Sequence, residues 1–369
     1  MLAYFIVFFM LIIVPKFFNK KRTNTICFLI LFIFSAIRFD IGWDFRWYYA
    51  LANKFDYIKY DLFISINEIM EIESQQFWIY YRLEFLNKIL YKVVWLLKSP
   101  QLIIFFYSFI ILYFLKKSLD YKKKYNYNTW LFFYTFPLFY LASLSIMRQW
   151  CAVVIIFFSY KYIEKKIFIK FLFYIFIASL FHQTAILLTP IYFFQYIKLN
   201  KKIHILMFFI SFFSLNILKK ILLLDLEILS KYRSYILHQI GEGGKVIYFL
   251  IILLYLGILL LIYLDNKFYI KNEIIITYIC LGAFIYISLI DLGHLAYRMS
   301  QYFLIFILYI FDEIESILKK LKIKKYILII EFILLFTFLN ANKNHVIRSE
   351  FIPYKVFFIN KNEEFLKNE

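Results

Sequence analysis

The stretch SLSIMRQWCAVVIIFFSYKYIEKKIFIKFLFYIFIASLFHQTAILLTP, residues 143–190, holds apolar runs at 149–163, 167–181 and from 183 onward, parted by short polar gaps. The gap between the first two runs is lysine-rich KYIEKK; the gaps on either side carry Arg148 and His182 instead. Runs of this length without strand-like alternation read as helices that cross a bilayer and turn back. The pattern extends along the chain. Its 369 residues are 63% hydrophobic, more apolar surface than a soluble domain of that size can bury. A β-barrel needs short alternating segments and many turns, which are absent. The expected fold is all-α, a polytopic integral membrane protein with about 12 transmembrane helices in one membrane domain over 1–369.

The spans read at 2–18, 24–37, 101–116, 129–146, 149–163, 167–181, 183–197, 203–218, 246–264, 273–290, 301–317 and 324–340. Several fall short of the roughly 20 residues a crossing takes, and their aromatic and lysine flanks extend the effective length. Lys16, Lys20, Lys21 and Arg22, the one arginine read as cytoplasmic, follow span one, and KKSLDYKKK, KYIEKK, KLNKK, DNKFYIKN and KKLKIKK follow at every second gap. The positive-inside rule makes these gaps cytoplasmic. The alternate gaps then face outward: 38–100, the turns near 147–149 and 182, 219–245, 291–300 and a C-terminal tail, 341–369. The first of these is a large loop expected to carry an amphipathic helix over 76–97. The first apolar stretch lacks a basic leader and a small-residue cleavage site, so it is expected to stay as a span.

A net charge of +19 raises nucleic acid as a partner, but the excess is the lysine of these gaps and no basic domain separates from the spans. No nucleic-acid role is expected. Cys27, Cys151 and Cys280 lie in or beside spans, with neither metal nor disulfide spacing. Arginine is distributed differently from lysine. Arg38, Arg46, Arg82, Arg148, Arg233 and Arg298 all fall on the outward side. A planar guanidinium suits bidentate capture of phosphate or carboxylate, so the outer face looks built to hold an anion.

Within IRFDIGWDFRWYY, 37–49, Arg38, Gly42, Asp44 and Tyr48 have the spacing R-x3-G-x-D-x3-Y, with Gly42 turning the chain as it leaves span two. The bland alternative is an interfacial aromatic anchor with paired charges, Arg46 included. Asp56, Asp61, Glu68, Glu71 and Glu73 read as a solvated acidic face rather than a metal site. Glu84 is either the i,i+4 partner of Lys88 or a functional carboxylate. Arg148 and Gln149 sit in SIMRQW, a tight turn without Gly or Pro. A charge there costs free energy, roughly 2.5–3.5 kcal/mol at a helix centre and less near the interface, so a functional reading is favoured. Histidine is the side chain suited to proton transfer near neutral pH, so His182 at an outward turn is a candidate proton-transfer group. DLGHLAYRMSQYF places His294, Tyr297 and Arg298 on one face if it is helical, and KYRSYILHQIGEGGK adds Arg233 beside a glycine cluster.

No Walker A motif, nucleotide-binding glycine pattern or cytoplasmic D-x-D is present, and no Cys or His spacing suits zinc. Charges deep in the spans are scarce, which weighs against an ion-coupled transporter. The segments IRFDIGWDFRWYY, LEFLNKIL, the stretch 143–190, HLAYRMSQYF and FIPYK, in that order, resemble the EpsG family of polysaccharide polymerases, related in role to Wzy polymerases. The composite MRQ, FHQTA and TP is the most specific part of the resemblance.

The resemblance implies a glycosyltransferase of the bacterial cytoplasmic membrane that polymerises oligosaccharide repeat units carried on undecaprenyl pyrophosphate, as in O-antigen or exopolysaccharide assembly. Donor and acceptor are both lipid-linked, the reaction takes place at the outer face, and a chain-length regulator and a flippase are implied partners. On this reading Arg148 and Arg298, with Arg38 assisting, bind pyrophosphate and stabilise the charge that develops on it. His182, Asp44 or Glu84 removes the proton from the acceptor hydroxyl. Gln149, Tyr48, Arg46, His294, Tyr297 and Arg233 are expected to contact substrate. No cofactor is required, with a divalent cation as the one open addition. The rivals are a ligase that moves finished glycan to lipid A core or protein, and a flippase or exporter of lipid-linked oligosaccharide.

Overall fold

Polar caps and prolines decide where the apolar runs of this chain stop being helical. The computed structural model describes residues 1–53, 83–197, 199–222, 244–323, 326–343 and 351–360. Helix α1 (Leu2–Ile13) continues as a 3-10 turn, and Asn19 caps α2 (Lys20–Ala36) by accepting from the Arg22 backbone N–H. Then come β1 (Arg38–Phe39), α3 (Phe45–Asn53), α4 (Phe85–Leu96) and α5 (Gln101–Tyr121). Next are α6 (Tyr127–Thr135), α7 (Tyr140–Ser145), α8 (Met147–Glu164), α9 (Phe168–Ser179) and a 3-10 segment, Gln183–Tyr196. The chain continues through α10 (Lys201–Leu222), α11 (Gly244–Leu264), α12 (Asn266–Ser288), α13 (His294–Leu304), α14 (Ile307–Lys320) and α15 (Ile327–Ala341). It closes with β2 (Lys355–Val356) and a short α16 (Phe357–Asn360).

Several expected spans are interrupted. The run 129–146 breaks at Pro137, before which Phe136 is extended (φ −73°, ψ 120°), as a residue preceding proline must be. The run 301–317 divides at Ile305–Phe306 between α13 and α14. The run 183–197 winds as a 3-10 helix containing Pro190, and at about 2.0 Å per residue this tighter winding reaches further than an α-helix of equal length. A kink at Asn272 (φ −119°, ψ 19°) lies inside α12, where its side chain donates to Phe268 O (3.0 Å) and Glu313 Oε2 (2.7 Å). Of the amphipathic segment 76–97, Phe85–Leu96 forms α4, and 76–82 lie outside the described residues.

Among the described residues, three helices are long and apolar enough to cross a membrane: Gln101–Tyr121, Val246–Leu264 and Asn266–Ser288. Leu2–Phe17, Arg22–Ala36, Phe168–Ser179 and Ile327–Ala341 are shorter apolar helices. The all-α membrane architecture is as expected. Helix length does not yield about twelve uniform spans, because breaks shorten some runs and charges such as Arg148 sit inside others.

The chain forms two compact units, Met1–Phe136 with Tyr140–Thr189 and Glu331–Glu369, and Pro137–Phe139 with Pro190–Ile330. In the first unit the helix ends sort by charge. One end is lysine-rich: Asn24 donates to Asp120 (2.8 Å) and accepts from Trp130 Nε1 (2.9 Å), Lys122 pairs with Glu164, and Lys165 lies over the Tyr121 ring. The other end is arginine-rich and is held by Arg38. Its guanidinium, 1% exposed, donates to Ser35 O (2.5 Å), Ile41 O (3.3 Å), Ser108 Oγ (3.2 Å) and Leu144 O (3.2 Å), and lies 2.9 Å from Met147 Sδ. Gly42 (φ 98°) is required beside it, since a Cβ there would stand 2.3 Å from Leu144 O.

Part of the expected C-terminal tail returns to this end. FIPYK leads into β2, which pairs antiparallel with β1, Arg38 opposite Val356. Tyr4 OH donates to Phe351 O (2.7 Å), and Tyr354 stacks on Phe34 at 4.2 Å between ring centroids. In the second unit α12 is central: Tyr278 OH donates to Ile191 O (2.8 Å), and a Cβ on Gly282 would meet Phe303 Cβ at 2.8 Å.

Helices α4, α5, α8 and α14 are each followed by a lysine in the left-handed region, Lys98 (φ 50°), Lys123 (φ 53°), Lys166 (φ 55°) and Lys322 (φ 61°). After α8 the closing bonds are Lys166 N–H to Ile163 O (3.0 Å) and Ile167 N–H to Tyr162 O (2.9 Å), the pattern that usually selects glycine. Lysine suits the negative helix end but carries a Cβ. Lys166→Gly is therefore expected to stabilise the protein by about 1 kcal/mol, read as a higher unfolding midpoint in detergent. Arg38→Lys should cost about 3 kcal/mol or more in the same measurement, because a point charge cannot serve the acceptors of a planar fork.

Candidate active site

The arginine-rich end of the first unit holds a carboxylate that its own helix does not use. Glu84 is the N-cap residue of α4 but makes no capping bond from its side chain. The carboxylate instead reaches two other elements. Its Oε2 accepts from Arg148 Nη1 (2.9 Å) and Asn87 Nδ2 (2.9 Å), and its Oε1 lies 3.3 Å from His182 Nδ1 and 3.4 Å from the Gln183 backbone N–H. The Glu84 side chain is 9% exposed, against 30% for Arg148 and 18% for His182. A nearly buried anion thus stands between a cation and an imidazole that both keep open surface.

Local sequence explains each position. Ile146 leaves helical geometry (φ −100°, ψ 59°), so Arg148 and Gln149 lie in the first turn of α8 rather than in the expected turn between spans. His182 ends the turn after α9, its N–H bonded to Ala178 O (3.0 Å). Asn87, fully buried, ties the elements together by donating to Phe181 O (2.9 Å) and accepting from Tyr107 OH (2.9 Å). Leu86 N–H also donates to Leu180 O (3.1 Å). Asn87 and Tyr107 were not among the sequence candidates. Asn87 three residues after Glu84 was the available signal; Tyr107 is one of 33 tyrosines and had none.

Burial raises the Glu84 pKa, but the neighbouring His182 and the charge of Arg148 outweigh it, holding the carboxyl below its ordinary value. Tyr48, on α3, is buried close to the Arg148 side chain; burial, helped by Asp44, raises its pKa against the opposing pull of Arg148. Tyr91 OH donates to Tyr48 O (3.4 Å) from below.

The remaining candidates among the described residues sort into three groups. Asp44 is half-buried in the turn that opens α3, and Gln149 is buried beside Arg148. Arg38 directs its donors to protein acceptors, and Arg46 makes a two-pronged pair with Asp40 (2.9 Å on each arm) that Lys355 Nζ approaches at 3.7 Å. His294, Tyr297 and Arg298 belong to the second unit, where they form the helix expected for them, with His294 exposed and the other two half-buried. Arg233 lies outside the described residues. Among the described residues no three His, Cys, Asp or Glu side chains group as metal ligands, and Cys27, Cys151 and Cys280 are buried free thiols.

The sign of the Glu84 shift gives a pH test. A folded pKa below the unfolded one contributes stability that is full above about pH 4.3 and fades as pH falls through the folded value. Glu84→Gln is expected to lower the unfolding midpoint at neutral pH, and its gap to wild type should close in acid. A gap independent of pH would refute the ionic reading.

No curated protein and no solved structure matches the chain. The model of the EpsG family matches residues 21–356, which takes in the Arg38 clamp, Glu84, Arg148, His182 and the returning FIPYK strand; the chain belongs to the EpsG family.

Proposed function

We propose that this protein is a membrane glycosyltransferase that polymerises oligosaccharide repeat units carried on undecaprenyl pyrophosphate, at the outer face of the bacterial cytoplasmic membrane. The observation that carries the reading is the Glu84 carboxylate set between Arg148 and His182, at 2.9 Å and 3.3 Å. Membership of the EpsG family supports polysaccharide polymerisation in a membrane.

In the proposed reaction the acceptor hydroxyl attacks the anomeric carbon of the donor glycan. The bond from that carbon to the pyrophosphate oxygen breaks, and negative charge builds on the leaving group. Arg148 stabilises that charge from a fixed position, without the reorganisation that water would need. His182 takes the acceptor proton, with Nδ1 turned toward Glu84 and Nε2 as the accepting atom; Glu84 orients the ring and stabilises the imidazolium. Glu84 is the weaker candidate base, because its lowered pKa makes it a poor proton acceptor.

Tyr48, Gln149 and Asp44 are proposed substrate contacts around this centre, and Arg38 acts by holding the elements that carry it. Arg298, with His294 and Tyr297, is proposed to bind a pyrophosphate group as well. The arginines supply electrostatic stabilisation without a metal, and a divalent cation remains compatible with the scheme.

The test is complementation of a deletion strain, read as a glycan ladder. Arg148→Ala should lower the polymerisation rate by about 10²–10³, leaving single lipid-linked units in place of long chains. Normal chain lengths from stably inserted Arg148→Ala protein would refute the assignment. Loss of all surface glycan with lipid-linked polymer intact would mark a ligase instead.

A further inference from the structure

Helix α8 carries Arg148 in its first turn and Lys161 in its last, about 20 Å apart along the axis at 1.5 Å per residue. Around Lys161 a second constellation forms that the site above does not use. A cavity of about 510 Å³ is lined there by Tyr113, Phe114, Lys117, Phe158, Lys161 and Tyr174, with Asp120 and Tyr121 also on its wall. The rings form a continuous wall: Phe114 meets Phe158 at 5.4 Å, Phe158 meets Tyr174 at 5.3 Å, and Tyr174 stacks on Tyr162 at 5.3 Å.

Two ammonium groups stand against this wall. Lys161 Nζ is 3.6 Å from the Phe158 ring centroid, 4.7 Å from that of Tyr162 and 5.7 Å from that of Tyr174, and Lys117 Nζ is 5.5 Å from the Tyr113 centroid. Aromatic faces hold a cation in place without neutralising it. The nearby carboxylates are engaged elsewhere. Asp120 accepts from Lys116 (2.7 Å) and Asn24 (2.8 Å), and Glu164 pairs with Lys122.

The groove therefore offers positive charge at the lysine-rich helix ends and an apolar aromatic surface running away from it. A soluble anion has no use for the aromatic surface, and a neutral lipid has none for the two charges. We propose that this groove binds an anionic phospholipid, with Lys117 and Lys161 on the headgroup phosphate and the Phe114, Phe158 and Tyr174 rings against an acyl chain. Basic pockets between membrane helices recognise anionic headgroups by this combination.

The test is native mass spectrometry of the full-length protein in detergent, with phosphatidylglycerol or phosphatidylcholine of the same acyl chains added at equal concentration. Retention of phosphatidylglycerol above phosphatidylcholine is expected. K117Q/K161Q should weaken it about fivefold per lysine, the factor equivalent to about 1 kcal/mol per basic residue near an anionic surface, and K117R/K161R should keep it. Equal retention of the two lipids, or no change in K117Q/K161Q, would overturn the proposal. Displacement of phosphatidylglycerol by millimolar inorganic phosphate would also overturn it, marking a free-anion site. If the double glutamine variant does not fold, K117Q alone, at an exposed position, carries the same comparison with about a fivefold loss.

Discussion

A buried guanidinium satisfied by carbonyl oxygens organises the arginine-rich end of the first unit. Removing a charge from water costs several kcal/mol unless dipoles replace the lost solvation. Arg38 finds those dipoles at helix ends: Ser35 O lies in the last turn of α2 and Leu144 O in the last turn of α7. Both are the electronegative ends of their helices, with carbonyls that their own helices leave open. One side chain thereby closes two helix termini and fixes the turn at Ile41 and Gly42. It also sets the break that starts α8, because its fork reaches both Leu144 and Met147.

The candidate site inherits its rigidity from that arrangement. With the start of α8 held, Arg148 stands where Glu84 of α4 and His182 after α9 can meet it. Glu84 loses solvent and gains Arg148, Asn87, His182 and the Gln183 N–H, and the balance keeps it ionised. Asn87 and Tyr107 complete the support from below, each fully buried and each bonded. A charge cluster so anchored needs little reorganisation when a polyanionic group arrives, the condition under which electrostatic stabilisation is most effective.

Lysine and arginine divide the two ends of this unit by their chemistry. At one end lysines sit on helix termini, over tyrosine rings and in simple ion pairs, tasks suited to a flexible point charge. At the other, Arg38 uses several donors and Arg46 makes a two-pronged pair, which only a planar fork provides, while Arg148 pairs with Glu84. The parallel course of α5 and α8 carries both environments on the same pair of helices, with Tyr107 and Arg148 near one end and Lys117 and Lys161 near the other.

The sequence by itself determined the membrane class, the helical content, the separation of lysine from arginine and the family. These depend on composition and on local periodicity, which report the solvent each segment faces. It also brought Glu84, Arg148 and His182 forward, because a charge beside an apolar run is costly wherever the chain goes. Only the tertiary structure decided what each of them does. Glu84 had Lys88 as a partner within its own helix pattern, yet its carboxylate is held by residues 64 and 99 positions away in the chain. Arg38, read as an anion ligand, turns inward to carbonyls of broken helices, and the breaks themselves arise from Pro137 and from packing. FIPYK returns to pair with β1 although nothing near it in sequence specifies that strand. In a chain with 48 Phe and 33 Tyr, a single ring such as Tyr107 carries no sequence signal. Its role comes from a buried hydrogen bond to Asn87, and bonds between distant residues are chosen by how the helices pack.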